Sequence, residues 1–272
     1  MDETVITKIL SFLEEAGKIA MDYQKHLSIA NWKHDSSIVT EADLTISKIF
    51  SEKFKDYMKL NNHTLLDEEN LPSIKEFFDD KNEFLWTLDP VDGTTTYYNG
   101  LDLWSIGLSV YRNFEPYLGF IYVPSIGELV YTDGKNSYYI KNAFGKNEVK
   151  FKLSTPDREL TKKSIILQHR LKNYDIDKFV VLDLYSSYLL GFYTIIGKSL
   201  ATFFNRPMKL WDISATLAIV KNIGMVFRNI KDDSDINSLK DIEIDDNWYL
   251  KNTYMISNEK LYKSIKDELI LK

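Results

Sequence analysis

Apolar and polar residues alternate along the chain in two different patterns, and the helical pattern comes first. Between residues 3 and 25, apolar side chains recur at steps of three and four, which is typical of a helix with one buried face. A second helix is predicted from about Thr40, because Thr40-Glu-Ala-Asp43 resembles an N-cap followed by an acid at the third helical position. The apolar residues that follow on one face are Leu44, Ile46, Ile49, Phe50 and Phe54.

Short apolar runs separated by turn residues replace the helical pattern after residue 80, and they predict strands. Glycine, proline and an Asp133-Gly134 pair lie between these runs and mark tight connections. The runs are therefore expected to form an antiparallel meander. The predicted strands are 84–88, 104–111, 117–123, 128–132 and 137–140.

Beyond about residue 150, predicted strands and helices alternate. This change predicts two packed subdomains, residues 1–145 and 146–272, although no Pro/Gly/Ser-rich linker marks the boundary. The fold class is therefore mixed, α+β in the first part and α/β in the second. The predicted elements of the second part are strands near 164–168 and 179–182, a helix from about Ser186, and a helix over 213–222.

Composition and charge restrict the class of protein. With 272 residues, of which 44% are hydrophobic and 14% aromatic, the chain is expected to be globular with a substantial core. A formal net charge of −6 argues against a nucleic-acid partner, which needs a basic surface. The absence of cysteine excludes disulfides and zinc–thiolate sites. Neither a secretory signal nor a membrane-spanning helix is predicted, so the cytoplasm is the expected location.

The stretch 86–95, Trp-Thr-Leu-Asp-Pro-Val-Asp-Gly-Thr-Thr, carries the strongest indication of chemistry. A buried strand is predicted to end there in two carboxylates, Asp89 and Asp92, and carboxylate oxygens suit Mg²⁺. The Gly-Thr-Thr turn that follows offers backbone N–H groups to a phosphate, provided that it opens a helix or a nest of amides. Metal and anion are thus predicted to share one loop.

Other residues have two interpretations when they are considered alone. Glu68, in the pair Glu68-Glu69, follows an apolar strand end, whereas Asp212 in Trp211-Asp212, at a helix start, is usually only an N-cap. Asp43 is explained equally well as the third residue of a helix, and Lys33 taken alone is interpreted as a surface lysine.

The chain resembles the inositol monophosphatase family in the joint occurrence of three segments: Asp89-Pro-Val-Asp92-Gly-Thr94, the upstream pair Glu68-Glu69 and the downstream pair Trp211-Asp212. The likeness runs over most of the chain. The resemblance implies a layered αβαβα sandwich, a Mg²⁺-dependent phosphatase and a homodimer, with the site at the junction of the subdomains. Further matching segments are Ser37-Ile-Val-Thr-Glu-Ala-Asp43, Asn99-Gly100, Ser105-Ile-Gly-Leu108, Gly119-Phe-Ile-Tyr-Val-Pro124 and Gly127-Glu-Leu-Val-Tyr131.

The resemblance also assigns metal ligands. It places Glu68, Asp89 and the backbone carbonyl of Val91 on a first Mg²⁺, and Asp89, Asp92 and Asp212 on a second. Asp89 then bridges the two ions, and Glu68 also reaches a more weakly held third. Two or three Mg²⁺ ions are therefore expected at the site.

Catalytic and substrate-binding roles follow from the same resemblance. Thr94, hydrogen-bonded to Asp43, is expected to orient and help deprotonate the attacking water, with Glu68 as a further catalytic group. Lys33 corresponds less securely to a family lysine near the site. The substrate is expected to contact Asp92, Gly93, Thr94, Thr95, Asn205 and Asp212.

Substrate choice is where this chain departs from the family pattern. Asn205 stands where inositol-specific members have an acid, Ala201 replaces another acid, and Tyr185 replaces a glycine. The predicted function is hydrolysis of a small polyol or sugar phosphate, similar to inositol monophosphate, without nucleic-acid or membrane partners. The alternatives are a sugar-bisphosphate or 3',5'-bisphosphate nucleotide phosphatase, or a degenerate, non-catalytic regulatory member. Thr95 favours the inositol-phosphatase branch, since the nucleotidases typically have lysine there.

Overall fold

The structure is a computed structural model that describes residues 3–26, 30–32, 38–60, 62–168, 174–175 and 178–271. The helices within these ranges are α1 Glu3–Lys25, α2 Glu41–Leu60, α3 Ile74–Phe77, α4 Thr94–Tyr98, α5 Ser187–Ile195, α6 Trp211–Asn222 and α7 Glu259–Lys266. The strands are β1 Ala30–Trp32, β2 Ile38–Thr40, β3 His63–Asp67, β4 Phe84–Asp92, β5 Ser105–Arg112, β6 Glu115–Val123, β7 Glu128–Thr132, β8 Ser137–Lys141, β9 Val149–Lys152, β10 Ile165–Gln168, β11 Tyr174–Asp175, β12 Val180–Leu182, β13 Ala201–Phe204, β14 Val226–Asn229, β15 Tyr254–Ser257 and β16 Ile270–Leu271.

A seven-stranded sheet in the order β3-β4-β5-β6-β7-β8-β9 forms the centre of the first half. From β4 to β9 each strand pairs antiparallel with the next, as the predicted meander requires. The edge strand β3 pairs parallel with β4, which places the end of β3 beside Leu88. Two chain segments with carboxylates therefore finish at the same edge of the sheet.

Helices α1 and α2 cover one face of this sheet. Their apolar stripes meet β4, β5 and β6 in one buried cluster, in which Phe50 and Phe54 contact Trp86 and Phe12 packs on both phenylalanines. Burial of large aromatic side chains contributes about 2–3 kcal/mol each. The apolar periodicity of residues 3–25 thus corresponds to α1, with the bounds that the pattern predicts.

Helices α5 and α6 cover the opposite face and separate the large sheet from a second one. The second sheet has the order β12-β10-β13-β15-β14, and α7 packs on its outer side. Close approach of α6 to β6 depends on Gly119, where a Cβ would lie 2.7 Å from the Ala215 carbonyl oxygen. The layers are therefore α, β, α, β and α, which confirms the sandwich that the resemblance implies.

Several features of the fold differ from the predictions. Strand β4 continues to Asp92 instead of ending at residue 88, while β6 and α6 begin at Glu115 and Trp211, each two residues earlier than predicted. The elements β9, β13, β14, β15 and α7 were not predicted. The division into subdomains at residue 145 stays a prediction. Among the helices described, none is both long and apolar enough to cross a bilayer.

Candidate metal centre and active site

A β-bulge brings Asp89 and Asp92 to one side of β4. Asp89 pairs with Gly107 and Asp92 with Ser105, so three steps along β4 match two steps along β5. In a regular strand, residues three apart point to opposite faces, whereas one extra residue in the ladder reverses that relation. Proline at residue 90 is compatible with the bulge because it has no N–H to donate to the ladder. The two carboxylates therefore share a face.

Asp212 joins them from the first turn of α6. Its Oδ2 accepts the backbone N–H of Lys209 at 2.7 Å, which fixes the carboxylate at the start of the helix. One carboxylate oxygen from each of Asp89, Asp92 and Asp212 lies within 4.8 Å of the others. Asp92 and Asp212, 120 positions apart in the chain, thus converge, as the resemblance implies.

A buried hydroxyl network connects α6 with the sheet. Thr87 Oγ1 lies 2.7 Å from Ser109 Oγ on β5 and 2.6 Å from Ser214 Oγ on α6. The hydroxyl of Tyr111 donates to the Ser214 carbonyl oxygen at 2.6 Å. Since Thr87 precedes Asp89 by two residues on β4, this network fixes the separation between Asp89 and Asp212.

The carboxylates are electrostatically unfavourable without a cation. Burial, followed by repulsion from Glu68, Asp92 and Asp212, raises the pKa of Asp89 well above its usual value. Burial and repulsion from Asp92 and Glu68 also raise the pKa of Asp212, although nearby Lys209 opposes this. In the described part of the chain, buried Asp89 Oδ1 accepts no hydrogen bond. Buried anionic oxygens need a proton or a cation, so these residues fit a hard divalent ion.

Asp92 is the exception, because hydrogen bonds surround it. Its Oδ1 accepts the amide N–H and the hydroxyl of Ser187, at 3.0 and 2.6 Å. Its Oδ2 accepts the Tyr188 amide at 2.8 Å, the Ser105 hydroxyl at 3.0 Å and the Ser186 hydroxyl. Burial nevertheless raises the pKa of Asp92. The start of α5 is thus attached to β4 through this side chain.

The loop after Asp92 requires glycine at residue 93. Gly93 has φ +88°, and a Cβ there would lie 2.8 Å from the Leu103 carbonyl oxygen and 2.9 Å from Ser186 Cβ. Left-handed backbone and close contact both exclude other residues. Helix α4 begins at the next residue, so the predicted opening of a helix by Gly93-Thr94-Thr95 is present, although α4 has only five residues.

Thr94 and Asp43 hydrogen-bond to other groups than the resemblance implies. The Thr94 hydroxyl donates to the Val91 carbonyl oxygen at 3.0 Å. Asp43 Oδ2 accepts the amide and the hydroxyl of Thr40 at 2.8 and 2.5 Å, which is the predicted N-cap arrangement. Burial, opposed by the hydroxyl of Thr40, raises the pKa of Asp43 to about 8. In place of the expected hydrogen bond between Thr94 and Asp43, Thr94 makes one local hydrogen bond and Asp43 accepts two, and the catalytic roles of both residues stay proposals.

Glu68 lies beside the cluster. Its amide donates to the Leu88 carbonyl oxygen at 3.1 Å, so the end of β3 is joined to β4 just before Asp89. The charge of Glu68 acts on Asp43, Asp89 and Asp212. The neighbouring Asp67 accepts the Ser47 hydroxyl at 2.8 Å and the Glu69 amide at 3.1 Å, which stabilises this turn.

A small cavity of about 80 Å³ lies next to Asp212 and is lined by Ser187, Pro207, Met208 and Asp212. Asn205 is buried near it, and its amide donates to the Arg206 carbonyl oxygen at 2.9 Å. Tyr185 has φ +57° and is 47% exposed, and Ala201 is buried in β13.

Sequence reasoning missed the serines around Asp92 and the Thr87 network. Serine is common in turns, and nothing in the sequence indicates that Ser105 and Ser187 meet one carboxylate. The spacing of Ser186-Ser187 before an apolar helix was the available signal, since an N-cap serine precedes such a run. Lys33 lies outside the described residues.

Comparison with known proteins identifies the family. The model of the inositol monophosphatase family matches residues 2–270. The chain belongs to the inositol monophosphatase family. Members are metal-dependent phosphoric monoester hydrolases that act on small phosphorylated substrates.

Relatives and solved structures agree with this membership. A 3'(2'),5'-bisphosphate nucleotidase CysQ of Haemophilus influenzae is 30% identical over 132 residues, 48% of each chain, so this chain matches about half the length of that relative. A histidinol-phosphatase of Chlorobaculum parvum is 24% identical over 223 residues, 79% of this chain and 82% of the relative. A crystal structure of an IMPase/NADP phosphatase with Mg²⁺ and phosphate has a TM-score of 0.74 at 19% identity, covering 98% of this chain and 95% of that one. At 19% identity, the similarity to this crystal structure is evidence for the fold alone.

Proposed function

We propose that this protein is a Mg²⁺-dependent phosphomonoesterase that hydrolyses a small polyol or sugar phosphate by attack of water. One observation carries the proposal: the carboxylates of Asp89, Asp92 and Asp212 converge within 4.8 Å at a largely buried position. A cluster of this kind is unfavourable when it is ionised, unless divalent cations neutralise it.

The metal ligands proposed are Glu68, Asp89, the Val91 carbonyl, Asp92 and Asp212. Two or three Mg²⁺ ions, when bound, would supply positive charge for the phosphate, lower the pKa of a bound water and stabilise the leaving alkoxide. Asp89 is the ligand best suited to bridge, because its buried Oδ1 accepts no hydrogen bond from the described residues. The Val91 carbonyl already accepts the Thr94 hydroxyl, so that hydroxyl lies beside the proposed first ion.

The phosphate is proposed to lie against the loop that begins α4. The amides of Gly93, Thr94 and Thr95 would hold its oxygens, and the left-handed conformation at Gly93 turns this loop back towards β4. Thr94 is proposed to orient the attacking water. Asp43 would receive a proton most readily of the nearby carboxylates that no metal holds, since its pKa is about 8.

The substrate is proposed to be small. The cavity beside Asp212 has a volume of about 80 Å³, which is enough for part of a polyol ring. Asn205 carries a neutral amide where a charged acceptor would hold a hydroxyl group more strongly. Weaker discrimination among polyols is therefore expected.

The test is phosphate release from a panel of substrates, measured with 5 mM Mg²⁺ and with EDTA. The panel contains inositol 1-phosphate, glycerol 2-phosphate, histidinol phosphate, fructose 1,6-bisphosphate, NADP and 3',5'-bisphosphate adenosine. We expect Mg²⁺-dependent release from at least one monophosphate, and its loss in a folded Asp212→Asn variant. Absence of turnover on every substrate would contradict the proposal and favour a regulatory member.

A bisphosphate phosphatase is the second candidate. It is favoured by the 30% identity to the nucleotidase CysQ over half of the chain. A kcat/KM at least tenfold higher for a bisphosphate than for every monophosphate in the same panel would establish it. The proposed homodimer is tested separately by light scattering, which should give twice the monomer mass.

A further inference from the structure

The carboxylate of Asp92 is saturated with hydrogen bonds. A carboxylate has about four lone-pair positions on its two oxygens. Five donors converge on Asp92: two amides and three serine hydroxyls. On Oδ1, both positions are occupied by Ser187, through its amide at 3.0 Å and its hydroxyl at 2.6 Å. A cation that takes Asp92 as a ligand must therefore displace a donor.

The donors differ in how readily they can leave. The amides of Ser187 and Tyr188 are fixed by the first turn of α5. The Ser186 hydroxyl is the N-cap of the same helix and accepts the Leu189 amide at 3.2 Å, while Ser105 is fully buried on β5 and also lies 3.2 Å from the Ser186 hydroxyl. Each of these donors is needed elsewhere in the fold.

The Ser187 hydroxyl is different, because rotation about one side-chain bond releases it. Among the described residues, Asp92 is its one hydrogen-bond partner. Ser187 lines the cavity beside Asp212, so a released hydroxyl can turn into that cavity without disturbing the helix. Rotation between staggered side-chain positions is inexpensive.

We propose that Ser187 is a positioning residue that controls cation affinity at the Asp92–Asp212 side of the centre. Its hydroxyl donates to Asp92 Oδ1 in the metal-free protein, competes with the cation for that oxygen, and turns into the cavity when the cation binds. There it is placed to donate to a substrate oxygen. The inference rests on the proposed metal-dependent function and adds a residue to which the family resemblance assigned no role.

The test is Mg²⁺ binding to the metal-free protein, measured by calorimetry in the absence of substrate. Ser187→Ala removes the competing donor and keeps the amide, so we expect the apparent Mg²⁺ dissociation constant to fall about tenfold, the equivalent of one hydrogen bond to a charged group. Ser187→Cys keeps the side-chain size with a weaker donor and should give a smaller decrease. Ser187→Cys also keeps the inference testable if the Ser187→Ala variant does not fold.

Ser137→Ala is the matched control, since it removes another buried hydroxyl, one that donates to Asn222 Oδ1 at 2.7 Å away from the centre. It should lower thermal stability in EDTA without changing Mg²⁺ affinity. Unchanged or weaker Mg²⁺ binding in both Ser187 variants would overturn the inference. Wild-type protein that binds no Mg²⁺ would overturn the proposed function itself, so the two failures are distinguishable.

Discussion

Replacement of Asp89 by asparagine should stabilise the metal-free protein while it abolishes metal-dependent hydrolysis. The Asp89 side chain is almost fully buried, and Glu68, Asp92, Asp212 and Asp43 all repel its charge. Asparagine has nearly the same shape, carries no charge and adds an N–H donor that a neighbouring carboxylate can accept. The variant therefore removes repulsion without creating a cavity.

The magnitude follows from the geometry. Two unit charges 4.8 Å apart, the upper limit between the ligand oxygens, repel by about 3 kcal/mol at an effective dielectric constant of 20. Partial protonation of the cluster relieves some of this repulsion, so we expect a net gain of about 1–3 kcal/mol at pH 8. For a chain of this size, such a gain corresponds to a rise in Tm of about 2–10 °C.

The gain should depend on pH with a defined sign. Burial and repulsion raise the pKa of Asp89 and of Asp212 in the folded state, so the folded protein binds protons more tightly than the unfolded chain. The contribution of these two carboxyl groups to the stability of the metal-free wild type is then fully present below the unfolded pKa of about 4 and is lost as pH rises through the raised pKa values. The difference between Asp89→Asn and wild type should consequently be small at pH 5 and grow towards pH 8.

Thermal unfolding in EDTA between pH 5 and 8 measures this difference, and Mg²⁺ titrations test the accompanying loss of binding. The exposed Asp56 on α2 supplies the control: Asp56→Asn should leave Tm within about 1 °C at every pH. A variant at residue 89 that is less stable than wild type at pH 8, or a gain that does not vary with pH, would refute the reasoning about repulsion.

Two further changes test how the site is positioned and how it selects substrate. Thr87→Val removes the hydroxyl that is hydrogen-bonded to Ser109 and Ser214, and it should lower the free energy of unfolding by about 2 kcal/mol, seen as a Tm lower by roughly 4–8 °C. The variant should also reduce kcat more than KM. An unchanged kcat would show that the network does not position Asp212. Asn205→Glu introduces a charged acceptor, so kcat/KM for polyol monophosphates should rise about tenfold relative to kcat/KM for bisphosphates, measured on the same panel. A shift of this ratio in the opposite direction would contradict a substrate contact at Asn205.

Much of this fold could be predicted from periodicity. The bounds of α1 and the order of the meander strands follow from apolar spacing, because helix and strand bury residues with different periods. The convergence of Asp89, Asp92 and Asp212 was predicted by resemblance, whereas alone Asp212 looked like a helix cap. The cap interpretation is wrong, because Leu210 is the N-cap residue of α6 and Asp212 lies in the first turn, where its carboxylate accepts the backbone N–H of the preceding Lys209.

The bulge in β4 could not be predicted in the same way. An extra residue in a ladder becomes visible only when the partner strand is aligned, and residues 89–92 taken alone suggest a turn after a strand. The parallel pairing of β3 with β4 is likewise a property of the whole sheet. Both features determine where carboxylates point, so the least predictable parts of the backbone are those that build the site.

Asp89 and Asp92 lie on the same strand but differ in their hydrogen bonds, so β4 both attaches the second layer of helices and presents a carboxylate that a cation can neutralise. Five donors from β5 and α5 hold Asp92, so the protein itself stabilises that charge and uses it to attach the second layer of helices. Buried Asp89 Oδ1 accepts no hydrogen bond from the described residues, so its charge is left for a cation to neutralise. If the hydrogen-bond donors were divided equally between Asp89 and Asp92, each charge would already be partly stabilised, and a cation would stabilise each carboxylate less. Under the proposed function, this unequal distribution of donors would make Asp89 the stronger metal ligand, and it would make the affinity of Asp92 for a cation depend on the Ser187 hydroxyl.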